Sequence, residues 1–241
     1  MSSSVIGLLK HGLIVSCQIT GRAGLPDPEN PLKGSALMAI LAQAAVQGGA
    51  AGIRADGGKD IRAIRKAVSV PIIGIKKVDI PSCEVRITPT LEAAREVVES
   101  GADIVALDVT KRPHPKGMSG IELMRRVKKE LGVPVMADIS VLEEGVAAAE
   151  AGADVVGTTL SGYTPYSRAT ESPDLELVAQ LSEKIEVPVI AEGKISSPEQ
   201  ARRALEAGAY AVCVGAMIIN PKRIVEAYVR EMGRWSGGKE A

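Results

Sequence analysis

Aromatic residues are almost absent from this chain. Of its 241 residues only 2% are aromatic: four Tyr, one Trp and no Phe. The hydrophobic fraction of 46% is therefore built mainly from small or branched aliphatic side chains. A chain of this length can bury a large core without disulfides or metals, and such side chains suit layered packing of strands and helices. We expect one domain over residues 1–241, with a short N-terminal segment and a flexible tail at about 233–241.

The chain also lacks net charge, because 29 Lys and Arg residues balance 29 Asp and Glu residues. This balance argues against a nucleic-acid-binding protein, which usually carries a basic surplus. The three cysteines, Cys17, Cys83 and Cys213, are widely spaced and form no CxxC pair, which is typical of reduced thiols rather than a disulfide framework or metal site. No apolar run approaches the ~18 residues of a membrane helix, and no secretory leader is evident. A cytoplasmic protein without a membrane partner is expected.

Two alternating series of short, β-prone segments run along the chain. One series begins with Gly-Ala, the other with Val and Pro, and an N-terminal stretch completes a set of eight predicted strands. They start at Gly12, Gly49, Val70, Gly101, Val133, Gly152, Val187 and Gly208. Each strand is followed by a connection, so the segments repeat as strand–helix units and not as a solenoid of one element type.

The segments between these strands carry helical spacing of apolar residues. Thr90 is a predicted N-cap, and several helices end at the glycine of the next Gly-Ala pair, as a left-handed C-cap requires. The clearest helical patterns cover 90–100, 121–131, 142–151, 175–185 and 198–207. Alternating strands and helices predict a parallel sheet, and eight units favour a closed (β/α)8 TIM barrel over the alternative of an open doubly wound sheet.

Nearly every predicted strand leaves its apolar run at a polar residue. Solvent exposure at strand ends explains any one of them, but in a barrel they converge on the mouth that holds the active site. These residues include both positive and negative charges. This favours a functional site over solvent exposure alone, because a charge without a partner at the barrel mouth is costly. In order, these residues are Gln18, Arg54, Lys77 or Lys76, Asp108, Asp138, Thr158 with Thr159, Glu192 and Gly215.

The last two strands end in glycines that indicate a phosphate-binding site. Gly193 follows the seventh strand, and Gly215 with Ala216 follows the eighth. Barrel enzymes often hold phosphate here through backbone N–H groups, which glycine allows to approach closely.

The third strand ends in two adjacent lysines, Lys76 and Lys77. Side chains alternate along a strand, so at most one of them enters the barrel. The entering lysine is interpreted as a base, a Schiff-base nucleophile or a solvated rim charge. Burial or the nearby Arg54 would lower its pKa, as a base requires.

Other residues are assigned simpler roles. His11 and His114 have no metal-ligand spacing and are expected at the surface, while Cys17 and Cys213 are expected as small buried residues. The segment 19–34 contains three prolines and is predicted to be a loop over the barrel mouth, where it is a candidate lid.

A set of motifs makes the chain similar to the N-acetylmannosamine-6-phosphate 2-epimerase family. The resemblance covers roughly 12–225 and is most specific in the combination of ADIS, GTTLSGYT and IAEGKI, with supporting matches in GLIVSCQ, GGAAGIRADG, VPIIGIKK and GADIVALDVTKRP. It implies a single-domain (β/α)8 fold and an isomerase that interconverts N-acetylmannosamine 6-phosphate and N-acetylglucosamine 6-phosphate. It also implies a role in amino-sugar and sialic acid breakdown, without a cofactor.

The resemblance also implies roles for individual residues. It makes Lys77 and Glu192 catalytic, and we group Thr159 with the substrate-contacting positions Gln18, Arg54 and Asp138. Phosphate is placed near Gly193, Gly215 and Ala216, and no metal is implied. The chain departs from the family at Lys76, Val78, Ile80 and Asn220, the last of which stands where arginine is common.

The implied mechanism opens the sugar ring and then moves the C2 proton. Lys77 would transfer that proton, Glu192 would move the C1 hydroxyl proton, and Arg54 with Gln18 would stabilise the oxyanion. Asp138 would orient Lys77 or bind sugar hydroxyls. Two alternatives remain open: a phosphate-binding barrel enzyme with a lysine Schiff base, and a catalytically silent sugar-phosphate sensor. An exposed helix face and Trp235 would serve a homodimer.

Overall fold

Eight parallel strands form a closed barrel in the computed structural model of the chain, which describes residues 4–19 and 27–233. The strands are β1 Leu13–Cys17, β2 Gly52–Asp56, β3 Ile72–Ile75, β4 Ile104–Asp108, β5 Val135–Asp138, β6 Val155–Gly157, β7 Val189–Glu192 and β8 Ala211–Val214. β1 closes the sheet because Ile14 is in register with Gly52 of β2 and with Cys213 of β8. The predicted closed barrel is confirmed, and the open sheet is wrong.

The helices surround the barrel and alternate with the strands. They are α1 Ser35–Gln47, α2 Gly58–Ala67, α3 Leu91–Glu99, α4 Gly120–Leu131, α5 Leu142–Glu150, α6 Leu175–Lys184, α7 Pro198–Glu206, α8 Ala216–Ile219 and α9 Pro221–Gly233. The five helical patterns predicted from the sequence correspond to α3–α7 with ends that differ by one residue at most.

Local sequence signals fix where these helices begin and end. The Thr90 side chain accepts a hydrogen bond from the backbone N–H of Ala93, at 3.2 Å, and so caps α3. The glycines of the four Gly-Ala pairs all adopt positive φ, between 92° and 101°, and each ends the helix before its strand. These conformations are costly for other residues, which explains the repeated glycine.

Alternation along the strands separates two layers of apolar side chains. In β3, Ile73 faces the barrel interior with residues such as Met136, while Ile72 faces the helices. Cys17 and Cys213 are buried, as predicted, and aliphatic residues fill the interior without any Phe. The same alternation directs specific polar side chains into the barrel.

The two histidines differ in environment. His11 is exposed, as predicted. The prediction of a surface position for His114 is wrong, because its ring nitrogens lie 2.8 Å from the Asp108 carbonyl oxygen and 3.1 Å from that of Pro89. His114 is therefore buried and joins the loop after β4 to the loop that precedes α3.

The long loop after β1 is fastened, in its described part, to the last two helices. Asn30 is buried and donates a hydrogen bond to Asn220 Oδ1 at 3.1 Å, and Asp27 pairs with Lys222 at 2.9 Å. Residues 20–26 lie outside the described residues, so the lid stays a prediction. The predicted flexible tail with Trp235 also lies outside them, apart from its first residue, which ends α9.

The described helices give no sign of a membrane segment. Within 4–19 and 27–233, every helix is too short or too polar to cross a bilayer.

Candidate active site

A cavity of about 1100 Å³ opens at the carboxyl ends of the strands. Eight of the nine predicted site residues line it: Gln18, Arg54, Lys77, Thr159, Glu192, Gly193, Gly215 and Ala216. The fold therefore brings together residues that are as much as two hundred positions apart in the chain. Asp138 is the exception, and it lies beneath the cavity floor.

Of the two adjacent lysines, only Lys77 enters the cavity. Lys76 points outward and forms an ion pair with Glu96 on α3. Lys77 Nζ donates a hydrogen bond to Gln18 Oε1 at 2.6 Å and lies 3.8 Å from Asp56 Oδ2. The alternation predicted from the sequence is confirmed, and the amine is held at the cavity wall.

The environment of Lys77 favours its neutral form. Burial lowers the pKa of this amine below its usual value, Asp56 opposes that shift, and the positive charge of Arg54 adds to it. A lysine with a lowered pKa can accept a proton from a carbon acid near neutral pH.

Arg54 lies inside the barrel and not at the end of its strand. It occupies the middle of β2, which continues to Asp56, and only 1% of its surface is exposed. Its guanidinium forms two contacts with Asp138, Nη2–Oδ2 at 2.5 Å and Nη1–Oδ1 at 3.1 Å, and a third with Glu192 at 3.1 Å. Although burial alone would lower the pKa of Arg54, both carboxylates outweigh it, so the guanidinium stays charged.

Glu192, the last residue of β7, belongs to the same network of contacts as Arg54 and Asp138. Thr159 Oγ1 lies 3.2 Å from Glu192 Oε2, and Thr158 accepts a hydrogen bond from the Glu192 backbone N–H at 3.0 Å. Burial raises the pKa of this carboxyl, against the opposing effect of Arg54, and Asp138 raises it further. Burial thus makes Glu192 a weaker acid than a typical surface glutamate, while Arg54 favours its ionised form.

Asp138 does not occupy the position that we expected for it. It is completely buried, and both carboxylate oxygens are used within the protein, Oδ2 by Arg54 and Oδ1 by Arg54 and by Thr159 at 2.6 Å. Both oxygens are thus engaged by Arg54 and Thr159, and among the described residues the contacts of Asp138 do not include Lys77. The geometry instead makes it the group that positions Arg54.

The two glycine loops lie side by side at the cavity rim. Gly193 has φ of 109° and the next residue, Lys194, has φ of 58°, while Gly215 immediately precedes α8, which begins at Ala216. The Lys194 ammonium lies 4.6 Å from the centre of the Tyr163 ring. Backbone that lines the cavity at consecutive residues of positive φ, next to a cation, is suited to an anion.

Three residues in or near the cavity were missed from the sequence. Asp56 was overlooked because Arg54 was interpreted as the end of β2; strand alternation from Arg54 would have found it. Cys213, in register with Glu192 across β7 and β8, lines the cavity, and its thiol forms a hydrogen bond with that carboxyl. Tyr163 carried no sequence signal other than its place in the GTTLSGYT motif.

Comparison with known proteins shows the family of the chain. A family model described as "Putative N-acetylmannosamine-6-phosphate epimerase" matches residues 38–234. A protein of Caldanaerobacter subterraneus subsp. tengcongensis named "Putative N-acetylmannosamine-6-phosphate 2-epimerase" is 47% identical over 230 residues, which cover 95% of this chain and 94% of that protein. The chain belongs to this epimerase family.

Solved structures extend the comparison. The N-acetylmannosamine-6-phosphate 2-epimerase from Clostridium perfringens superposes with a TM-score of 0.89 at 40% identity, covering 96% of this epimerase-family chain and 97% of that chain. A thiamine phosphate pyrophosphorylase from Pyrococcus furiosus, with a TM-score of 0.59 and 21% identity over 95% of this chain and 96% of its own, shares the fold alone.

One departure from the epimerase family has a structural explanation. Asn220, where the family resemblance leads us to expect arginine, is buried and accepts hydrogen bonds from Asn30 and from the backbone N–H of Arg223. It serves to join the loop after β1 to the start of α9. Arg223 itself lines the cavity near the glycine loops.

Proposed function

We propose that the chain interconverts N-acetylmannosamine 6-phosphate and N-acetylglucosamine 6-phosphate by removing and returning the C2 proton. One observation carries the proposal: Lys77 and Glu192 line the same cavity, and burial shifts their pKa values in opposite directions. A lysine made less basic and a carboxyl made less acidic form an acid–base pair.

Glu192 acts first in this mechanism, on the closed sugar ring. Its protonated carboxyl donates a proton to the ring oxygen through one oxygen and takes the C1 hydroxyl proton through the other, so the bond between C1 and the ring oxygen breaks as the C1 aldehyde forms. The resulting aldehyde at C1 acidifies the C2 proton, since the conjugate base is an enolate.

Lys77 then removes the C2 proton and becomes an ammonium ion. The electron pair moves onto the C1 oxygen, where Arg54 stabilises the developing negative charge from a fixed position. Gln18 holds the Lys77 amine on the other side. The Lys77 ammonium then gives a proton back to the opposite face of C2, directly or through a group of the substrate, and the amine becomes neutral again as C2 is reprotonated.

The glycine loops bind the phosphate of the substrate. Gly193, Gly215 and Ala216 offer backbone N–H groups at the rim, and Lys194 adds a positive charge beside them. Anchoring the phosphate there leaves C1 and C2 of the opened sugar for the Lys77–Glu192 side of the cavity.

This reaction belongs to amino-sugar and sialic acid breakdown in the cytoplasm. The location is supported by the thiols of Cys17, Cys83 and Cys213, all of which are unpaired.

A second copy of the chain is the proposed partner. Four apolar residues of α9 at helical spacing are more than half exposed, namely Val225, Tyr228, Val229 and Met232. An apolar stripe of this kind is typical of an interface. Sedimentation of the wild-type protein should show a dimer, and Tyr228→Glu should shift it to a monomer; a monomeric wild type would refute the interface.

Purified protein incubated with N-acetylmannosamine 6-phosphate tests the reaction. Formation of N-acetylglucosamine 6-phosphate without an added redox cofactor supports the proposal. Binding in calorimetry with no turnover would instead identify a sugar-phosphate sensor.

A further inference from the structure

We propose that Asp56 is a positioning residue for Lys77, one that aims the amine and balances the charge it acquires when it takes the substrate proton. The inference rests on the proposed function in one respect, the role of Lys77 as the base. It concerns a residue that does not line the cavity and acts only through the lysine.

Asp56 holds Lys77 at two points. It is the last residue of β2 and shares the inner face of that strand with Arg54. Its Oδ1 accepts a hydrogen bond from the Lys77 backbone N–H at 2.9 Å, and its Oδ2 lies 3.8 Å from the Lys77 ammonium. One carboxylate therefore fixes both the backbone from which the side chain starts and the charge at its end.

The other charged groups around Lys77 leave Asp56 as its nearest counter-charge. Within the described residues, Asp56 is the only carboxylate within 4 Å of Lys77 Nζ. Arg54 from β2 and Arg86 from the loop after β3 both lower the pKa of the lysine, whereas Asp56 and the more distant Glu192 raise it. Asp56 also interacts with Asp60 at the start of α2. Burial raises the pKa of the Asp60 carboxyl, and the negative charge of Asp56 raises it further.

This arrangement has a direct consequence for proton transfer. Before the reaction Lys77 must be neutral, which burial favours; after it, an ammonium ion stands in a partly buried site beside two arginines. Asp56 offsets that charge without reaching the substrate, so its removal should affect the chemical step more than substrate binding.

The distinguishing variant is Asp56→Asn, because an amide oxygen can still accept the backbone hydrogen bond while the negative charge is lost. The pH dependence of acetic anhydride labelling at Lys77, followed by mass spectrometry, reports the lysine directly and needs no substrate. Because an opposite charge within about 4–6 Å raises a lysine pKa by one unit or more, we expect the midpoint to fall by about 1 pH unit. We also expect kcat to fall with KM unchanged.

The neighbouring lysine, Lys76, and its carboxylate partner provide a matched control. Glu96→Gln removes the carboxylate beside Lys76, which points out of the barrel, and should leave the labelling midpoint of Lys77 and the kcat unchanged. Asp56→Ala, with folding checked by circular dichroism, removes both contacts and should lower the midpoint as Asp56→Asn does.

The outcomes separate the two proposals. A labelling midpoint that is the same in wild type and in both Asp56 variants overturns the inference. A lowered midpoint in a protein whose wild type does not epimerise the sugar phosphate supports the Asp56–Lys77 coupling and overturns the proposed function instead.

Discussion

Arg54 and Asp138 form a two-point ion pair inside the barrel, with Nη2–Oδ2 at 2.5 Å and Nη1–Oδ1 at 3.1 Å. Neither side chain is more than 1% exposed. The pair fixes the plane of the guanidinium, which also contacts Glu192, so the cation is held in one orientation. Preorganised charge of this kind is what stabilises a developing oxyanion.

Asp138→Asn tests that pair. Removal of the Asp138 charge leaves the buried Arg54 with Glu192 as its remaining counter-charge, so we expect the free energy of unfolding to fall by about 3 kcal/mol and most activity to be lost. Urea denaturation measures the first and the epimerase assay the second. Glu130→Gln, which removes an exposed partner of Arg126, should change the free energy of unfolding by less than about 0.5 kcal/mol. Equal stability of Asp138→Asn and wild type would contradict the structural role.

Lys77→Met tests the base. The variant keeps an unbranched side chain that is one atom shorter and has no amine to accept a proton, so exchange of the C2 proton with deuterated water should be undetectable. Lys76→Met, with its side chain outside the barrel, should exchange at the wild-type rate. Retained exchange in Lys77→Met would remove Lys77 from the mechanism.

Borohydride trapping with substrate should leave Lys77 unmodified; a trapped adduct would favour the Schiff-base enzyme.

Glu192→Gln tests the acid through pH dependence. The reaction needs Glu192 protonated and Lys77 neutral, so activity falls at high pH as the carboxyl ionises and at low pH as the amine is protonated. The raised pKa of Glu192 and the lowered pKa of Lys77 increase the fraction of protein in which Glu192 is protonated and Lys77 is neutral. A plot of kcat/KM against pH should be bell-shaped. Because an amide does not titrate, Glu192→Gln should lower kcat by about 10²–10⁴ and lose one limb of the curve. A full bell in this variant would exclude Glu192.

Gly193→Ala tests the phosphate site. Gly193 has φ of 109°, so a side chain there strains the loop and moves backbone N–H groups away from the anion. We expect KM for the sugar phosphate to rise about tenfold, equivalent to about 1.4 kcal/mol, with a smaller change in kcat. Gly152→Ala imposes similar strain at φ of 92° before β6, far from the mouth, and should lower stability alone. If Gly193→Ala and Gly152→Ala raise KM equally, backbone strain and not the loss of phosphate binding is responsible for the increase.

Much of the fold was predictable because its signals are local. The Gly-Ala pairs mark helix ends at positive φ, the Thr90 cap marks a helix start, and strand alternation lets only one of Lys76 and Lys77 enter the barrel. These features depend on a few neighbouring residues, so they are readable without tertiary contacts.

The unpredicted features depend on contacts between distant segments. His114 is buried only because the carbonyl groups of Asp108 and Pro89 meet its ring. Asp138 pairs with Arg54 because the side chains of β2 and β5 meet inside the barrel. The spacing of residues within one segment does not encode how close that segment comes to another segment in the fold.

Proton NMR of N-acetylmannosamine 6-phosphate in deuterated water with the purified protein is the most direct test of the central claim. We expect the C2 proton signal to disappear while the gluco epimer accumulates, with deuterium at its C2, and we expect Lys77→Met to abolish both changes. A C2 proton signal that persists, or a gluco epimer that keeps its original C2 proton, would contradict epimerisation by deprotonation at Lys77.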